Sequence, residues 1–185
     1  MIVVLAGRRI DKRNAEEKRF PLEMKEIVYV RIRDFFHNNF HNNKVEILVS
    51  SGACGADLLA QKAARELKIE RHIIIPFERE KFRKTSVIDR PGNWGKLFDE
   101  LCDETERAGN LIVLEGFEDE EENAYSAVTI EILEHAKAMP PGKENLLAVA
   151  VWEGKAKDEM DETASFIKQA KIRKIRTAEI LITSY

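Results

Sequence analysis

Cysteine is scarce: Cys54 and Cys102 are the two in 185 residues, too few for a disulfide framework or a cysteine-based structural zinc site. Long apolar runs are missing as well. None approaches the roughly 20 residues needed to span a bilayer, and no apolar segment precedes a small-residue cleavage site at the N-terminus. A cytoplasmic chain without membrane contact is expected. Charge of one sign is also lacking, since 30 basic and 33 acidic side chains leave a formal charge of -3. That balance excludes a protein built to coat nucleic acid or an anionic membrane, so any anion site must be local. Internal repeats are absent. What is present is a hydrophobic fraction of 44%, far from the composition of disordered chains, in a length that buries well over half its unfolded surface. A core is therefore expected.

The apolar runs are short, rich in β-branched residues and separated by helical patterns. Met1 to Ala6, Val45 to Val49, Arg71 to Pro76, Asn110 to Leu114, Leu146 to Trp152 and Arg173 to Ile182 read as strands. Helices are predicted over Leu22 to His37, Leu58 to Leu67, Asn93 to Ala108, Asn123 to Ala138 and Glu159 to Ala170. The segment from Phe77 to Gly92 has no clear period and reads as a long loop. Strictly alternating strands and helices imply right-handed crossovers. The fold class expected is α/β, a Rossmann-like three-layer αβα domain spanning residues 1–185, with a mostly parallel sheet of about six strands. In such sheets ligands bind outside the carboxyl ends of the strands near a topological switch point. Function is expected at the loops after Ala6, Val49, Pro76, Leu114 and Trp152. The acidic run Glu118 to Glu122 falls on the same edge, where it also suits a helix N-terminus.

The strongest local signal is Ser50-Ser-Gly-Ala-Cys-Gly-Ala-Asp57, two glycines and two hydroxyls between a strand and a helix. Glycine permits close backbone approach, and a helix start offers unpaired N–H groups and the positive end of its dipole, the makings of an anion cradle. The plainer reading is a tight turn with Asp57 as a favourable first-turn acid. It matches neither a Walker A loop nor the three-glycine dinucleotide fingerprint. Gly7-Arg8-Arg9 ends the first strand at the same edge, where a guanidinium fork suits phosphate, or is simply solvated beside Asp11. Cys54 reads as a small buried filler or as a thiol activated by the helix start. In the long segment, Phe82 and Trp94 either stack on a base or anchor the loop to the core. Asn123 opens a helix, as a ligand contact or a cap. His37 and His41 lie four apart, but no carboxylate follows at useful spacing and no metal site is expected. The basic segments from Arg8 to Arg33 and Lys168 to Arg176 have no interleaved aromatics for stacking bases, so nucleic acid is not an expected partner.

Leu5-Ala-Gly-Arg-Arg9, Ser50 to Ala60, Pro76-Phe77 with Phe82 and Ser86-Val87, Asn123 followed by Ile130 to Leu133, and Trp152-Glu-Gly154 with Thr163 to Phe166 resemble successive blocks of the SLOG superfamily. This Rossmann-like group includes Lonely guy phosphoribohydrolases, DNA-processing protein A and domains that sense nucleotide-derived ligands. The blocks run in order over nearly the whole chain, and Gly-Ala-x-Gly-Ala-Asp is the most specific of them. The resemblance implies a phosphate or ribose loop of Ser50, Ser51, Gly52, Ala53, Gly55, Ala56 and Asp57. Gly7 and Arg8 would stand beside it, with Glu78, Ser86, Trp94, Asn123 and Thr163 completing a ligand site. Relatives often carry arginine where this chain has Cys54. The Pro-Gly-Gly-x-Gly-Thr loop of the phosphoribohydrolases is replaced here by Glu153 to Thr163, which counts against their reaction. The expectation is a sensor or binder of a nucleotide or nucleotide-derived small molecule, without a cofactor and associating as a homo-oligomer. The enzyme alternative is an N-glycosidic-bond hydrolase with Asp57, Glu78 or Glu162 as the stabilising carboxylate. Single-stranded DNA binding is a third reading.

Overall fold

A computed structural model describes residues 1–38, 44–117, 121–140 and 145–183 and, for Glu121 and Glu122, the backbone alone. His41 and residues 118–120 of the acidic run lie outside the described residues. The strands are β1 (Ile2–Gly7), β2 (Ile47–Ser50), β3 (Glu70–Ile75), β4 (Leu111–Val113), β5 (Leu146–Trp152) and β6 (Arg176–Leu181). The helices are α1 (Lys25–His37), α2 (Ala56–Glu66), α3 (Arg79–Phe82), α4 (Gly95–Arg107), α5 (Glu121–Ala138) and α6 (Glu162–Ile172). A short 3-10 turn, Leu22–Met24, leads into α1, and a π-helical turn, Arg83–Val87, continues from α3. The segment read as a loop from Phe77 to Gly92 is thus helical over nine residues. It is too short and changes pitch too soon to show a period of 3.6.

All six strands are parallel, in the order β4-β3-β2-β1-β5-β6. Alternate residues of β1 face opposite layers, as the period of two requires. Val3 and Leu5 pack with α1, α2 and α4, whereas Ile2 and Val4 pack with α5 and α6. β5 is buried at all seven positions, which explains its uninterrupted apolar sequence. The result is the expected α/β Rossmann-like three-layer architecture. Chain order runs outward from β1 to β4, and α5 then carries it back across the sheet to β5 on the far side of β1. The switch point therefore lies between β1 and β5, where the connections leave on opposite faces and a crevice opens at the carboxyl ends. Among the described residues no helix is long and apolar enough to cross a membrane.

Candidate functional site

A half-open cavity of about 140 Å³ occupies that crevice. Leu5, Ala6 and Gly7 of β1, with Arg9 beyond it, form its floor, Ser51 and Ala53 come from the turn after β2, and Asp57 from the first turn of α2. Phe82 and Ser86 come from the helical segment after β3, and Glu162 and Thr163 from the start of α6. The remaining wall is one face of α5: Tyr125, Val128, Thr129 and Ile132, spaced i, i+3, i+4 and i+7. Most of the lining is apolar, with hydroxyls set into it. Ser86 Oγ and the Tyr125 hydroxyl lie 2.7 Å apart in a mutual hydrogen bond, tying the π turn to α5.

Asp57 is the polar residue at the base of this space. It sits in the first turn of α2 with 8% of its surface exposed, and its Oδ1 has no hydrogen-bond partner among the described residues. Burial pushes its carboxyl up to about 7, opposed by the backbone N–H groups of Ala53 and Gly7 and by the Arg9 guanidinium. Near neutral pH it is therefore shared between acid and carboxylate. Arg9 pairs with Asp89 and donates to the Thr85 carbonyl at 3.4 Å, and its buried Nε has no partner among the described residues.

Of the residues expected to hold ligand, Gly7, Ser51, Ala53, Asp57, Ser86 and Thr163 line the cavity, as does the candidate acid Glu162. Others are placed elsewhere. Arg8 turns toward the β5–α6 connection. Its Nε and one Nη reach Glu153 at 2.7 and 3.0 Å, the other Nη reaches Asp161 at 2.7 Å, and a further N–H meets the Lys155 carbonyl at 3.0 Å. The guanidinium lies over the Trp152 ring at 5.6 Å, and Arg19 completes the cluster through Glu153. The Arg8 fork, expected to meet phosphate, is held by two buried carboxylates and does not line the cavity. Asp161 also caps α6, accepting from the Ala164 N–H at 2.9 Å.

Two N–H groups of the expected anion cradle are engaged by the chain itself. The Ala56 N–H donates to the Arg8 carbonyl at 3.0 Å, and the Cys54 N–H to the Ser86 carbonyl at 3.0 Å. Gly55, at φ +106°, lets the turn press against the β1 loop, where a Cβ would stand 2.6 Å from the Arg8 oxygen. Gly7 is as tightly fitted: a Cβ there would lie 2.5 Å from that of Ala56 and 2.6 Å from the Val151 oxygen. Gly52 packs on Phe98. Ser50 is buried, its hydroxyl donating to the Ser51 carbonyl at 2.8 Å and accepting from Gln61 Nε2 at 2.9 Å. Glu78 is an exposed residue at the start of α3, and Asn123 is exposed on α5; neither borders the cavity. Trp94 is 2% exposed and donates its Nε1–H to the Pro91 carbonyl at 2.9 Å, so it anchors the loop while Phe82 takes the cavity position. Cys54 is buried, and burial pushes its thiol up despite the nearby Arg9, which suits a filler rather than an activated nucleophile.

Val128 and Thr129 belong to no motif of the sequence, and Ile132 stands out only within the block Ile130 to Leu133. Their one-face spacing was visible, but only the long crossover after β4 lays that face over β1. Against protein-family models and curated proteins the chain finds no match.

Proposed function

We propose that the chain binds a nucleotide or nucleotide-derived small molecule in the cavity at the β1–β5 switch point, as a sensor or binding protein of the SLOG type. The observation that carries this reading is the placement of two buried polar atoms without a partner among the described residues, Asp57 Oδ1 and Arg9 Nε, on residues lining one apolar cavity at the ligand edge of a parallel sheet. Leaving such groups unpaired costs about 1–3 kcal/mol each, a cost that a bound ligand's complementary atoms would offset. The sequence blocks shared with SLOG proteins support the same place, because the turn from Ser51 to Asp57 forms one cavity wall.

A thermal-shift panel of AMP, ADP-ribose, NAD, cyclic dinucleotides and ribose 5-phosphate tests the proposal. A ligand of the folded state raises stability by mass action, about 2.7 kcal/mol at 100 times its Kd. At least one compound should raise Tm, and Thr129→Phe, which fills the cavity from α5, should abolish the shift. No shift from the panel, or a shift that survives this variant, overturns the assignment.

A second reading, hydrolysis of an N-glycosidic bond, is favoured by Asp57 and Glu162 facing one cavity, since a carboxylate beside the sugar stabilises a developing oxocarbenium charge. Mass spectrometry of each hit after incubation decides it. Release of base and ribose phosphate establishes hydrolysis, and recovery of intact ligand leaves a binder.

A further inference from the structure

We infer that the cavity recognises the uncharged nucleoside part of its ligand, with Asp57 bonding the sugar hydroxyls, and leaves any phosphate to solvent. The inference rests on the cavity holding a nucleotide-derived molecule and specifies which part of it is bound. Four features of the lining carry it.

Arg8 and two N–H groups of the turn and helix start after β2, which would take phosphate, are already occupied. Arg8 is held by Glu153 and Asp161, whose side chains are 6% and 0% exposed. At the start of α2, the Ala56 N–H faces the Arg8 carbonyl, and in the preceding turn the Cys54 N–H faces that of Ser86. The second feature is that the cation of the lining is already paired. Arg9 is matched by Asp89. The nearby start of α6 already has the Asp161 carboxylate as its cap. A phosphate dianion would have to compete with both carboxylates for these places.

The third feature is the kind of surface offered. Leu5, Phe82, Tyr125, Val128 and Ile132 form apolar walls suited to the faces of a base. Ser51, Thr129 and Thr163 add hydroxyls to the lining, groups that suit an uncharged polar molecule. Last, Asp57 Oδ1 is a buried acceptor with no donor. A pair of ribose hydroxyls provides donors for it, and phosphate oxygens at neutral pH provide almost none. The raised carboxyl of Asp57 agrees with a site that is dry and built for neutral groups.

The test compares adenosine, guanosine, cytidine and uridine with their 5′-monophosphates by isothermal titration calorimetry, with inorganic phosphate as competitor. At least one nucleoside should bind within about threefold of its monophosphate, and phosphate at millimolar concentration should not displace it. Asp57→Asn, whose amide keeps the shape but replaces one acceptor with a donor, should lose at least tenfold in nucleoside affinity. Should Asp57→Asn fail to fold, Ser51→Val and Thr129→Phe serve in its place, each expected to lose at least fivefold. Monophosphates binding tenfold or more tightly than nucleosides would overturn the inference while leaving the nucleotide reading standing. If neither series binds, the inference falls, and the thermal-shift panel alone decides the nucleotide reading. Unchanged affinity in the variants would also overturn the inference, because the nucleoside would then lie outside this cavity.

Discussion

Two adjacent arginines end the first strand, and their fates differ because of what surrounds each. Arg8 enters a nearly closed cluster with Glu153, Asp161 and Arg19, whereas Arg9 lines the cavity. Burial alone would raise the two carboxyls, but hydrogen bonds and charge from Arg8, with backbone N–H groups, outweigh it and hold both below the usual carboxylate range. Removing the guanidinium would leave Glu153 with the Arg19 guanidinium and Asp161 with backbone N–H donors, and breaking a buried pair costs about 3–5 kcal/mol. Arg8→Ala should therefore lose about that much in urea unfolding, while Arg9→Ala, which breaks a part-exposed pair, should lose far less. Because the carboxyls of Glu153 and Asp161 are depressed on folding, their contribution is present above the unfolded carboxylate value near pH 4 and is lost as pH falls below it. Equal losses for the two variants would show that the cluster is not the fastening inferred here.

Among elements, α5 decides most about the site, since one of its faces closes the cavity. It is held to the sheet partly by polar contact: His135 on α5 and His72 on β3 bring ring nitrogens within 3.2 Å, and the other nitrogen of His72 lies 3.0 Å from Glu70. Burial and the neighbouring His72 lower the pKa of His135, while Glu131 opposes them. A base depressed on folding contributes stability above its unfolded value of about 6.5, and that contribution is lost as pH falls through the folded value. His135→Gln should accordingly show a smaller loss of unfolding free energy between pH 7 and pH 5 than the wild type. The difference between the two proteins is the proper measure, because Asp57, with its carboxyl raised on folding, contributes in the opposite sense over this range. Identical pH profiles would mean that the histidine pair does not carry the docking of α5.

At the scale of the molecule, stability is distributed from the centre of the sheet outward. β1 and β5 pair over six positions and are covered on both faces, whereas β4 is a three-residue edge strand with Val113 exposed. Native-state hydrogen exchange should find the slowest amides in β1 and β5, exchanging only by global unfolding, and faster exchange by local opening in β4. Uniform protection across all six strands would instead indicate one cooperative unit. The same topology explains why the cavity lies where it does, since the two halves of the chain depart from β1 in opposite directions and on opposite faces.

The sequence by itself determined the class and order of the elements. Runs such as Leu146 to Trp152 can be buried only on both faces, and helical patterns between them force parallel crossovers. It also marked the turn from Ser51 to Asp57, because two glycines between a strand and a helix demand close approach. What only the tertiary structure decided is how that approach is used. Gly55 admits the Arg8 carbonyl rather than a phosphate, Arg8 finds buried carboxylates more than 140 residues away, and Trp94 turns into the core. Local pattern records a residue's own conformational needs, whereas the partner of a charge or an amide depends on which distant segment the sheet brings beside it. The buried Asp57 carboxyl and the α5 wall beside it arise from that long-range placement.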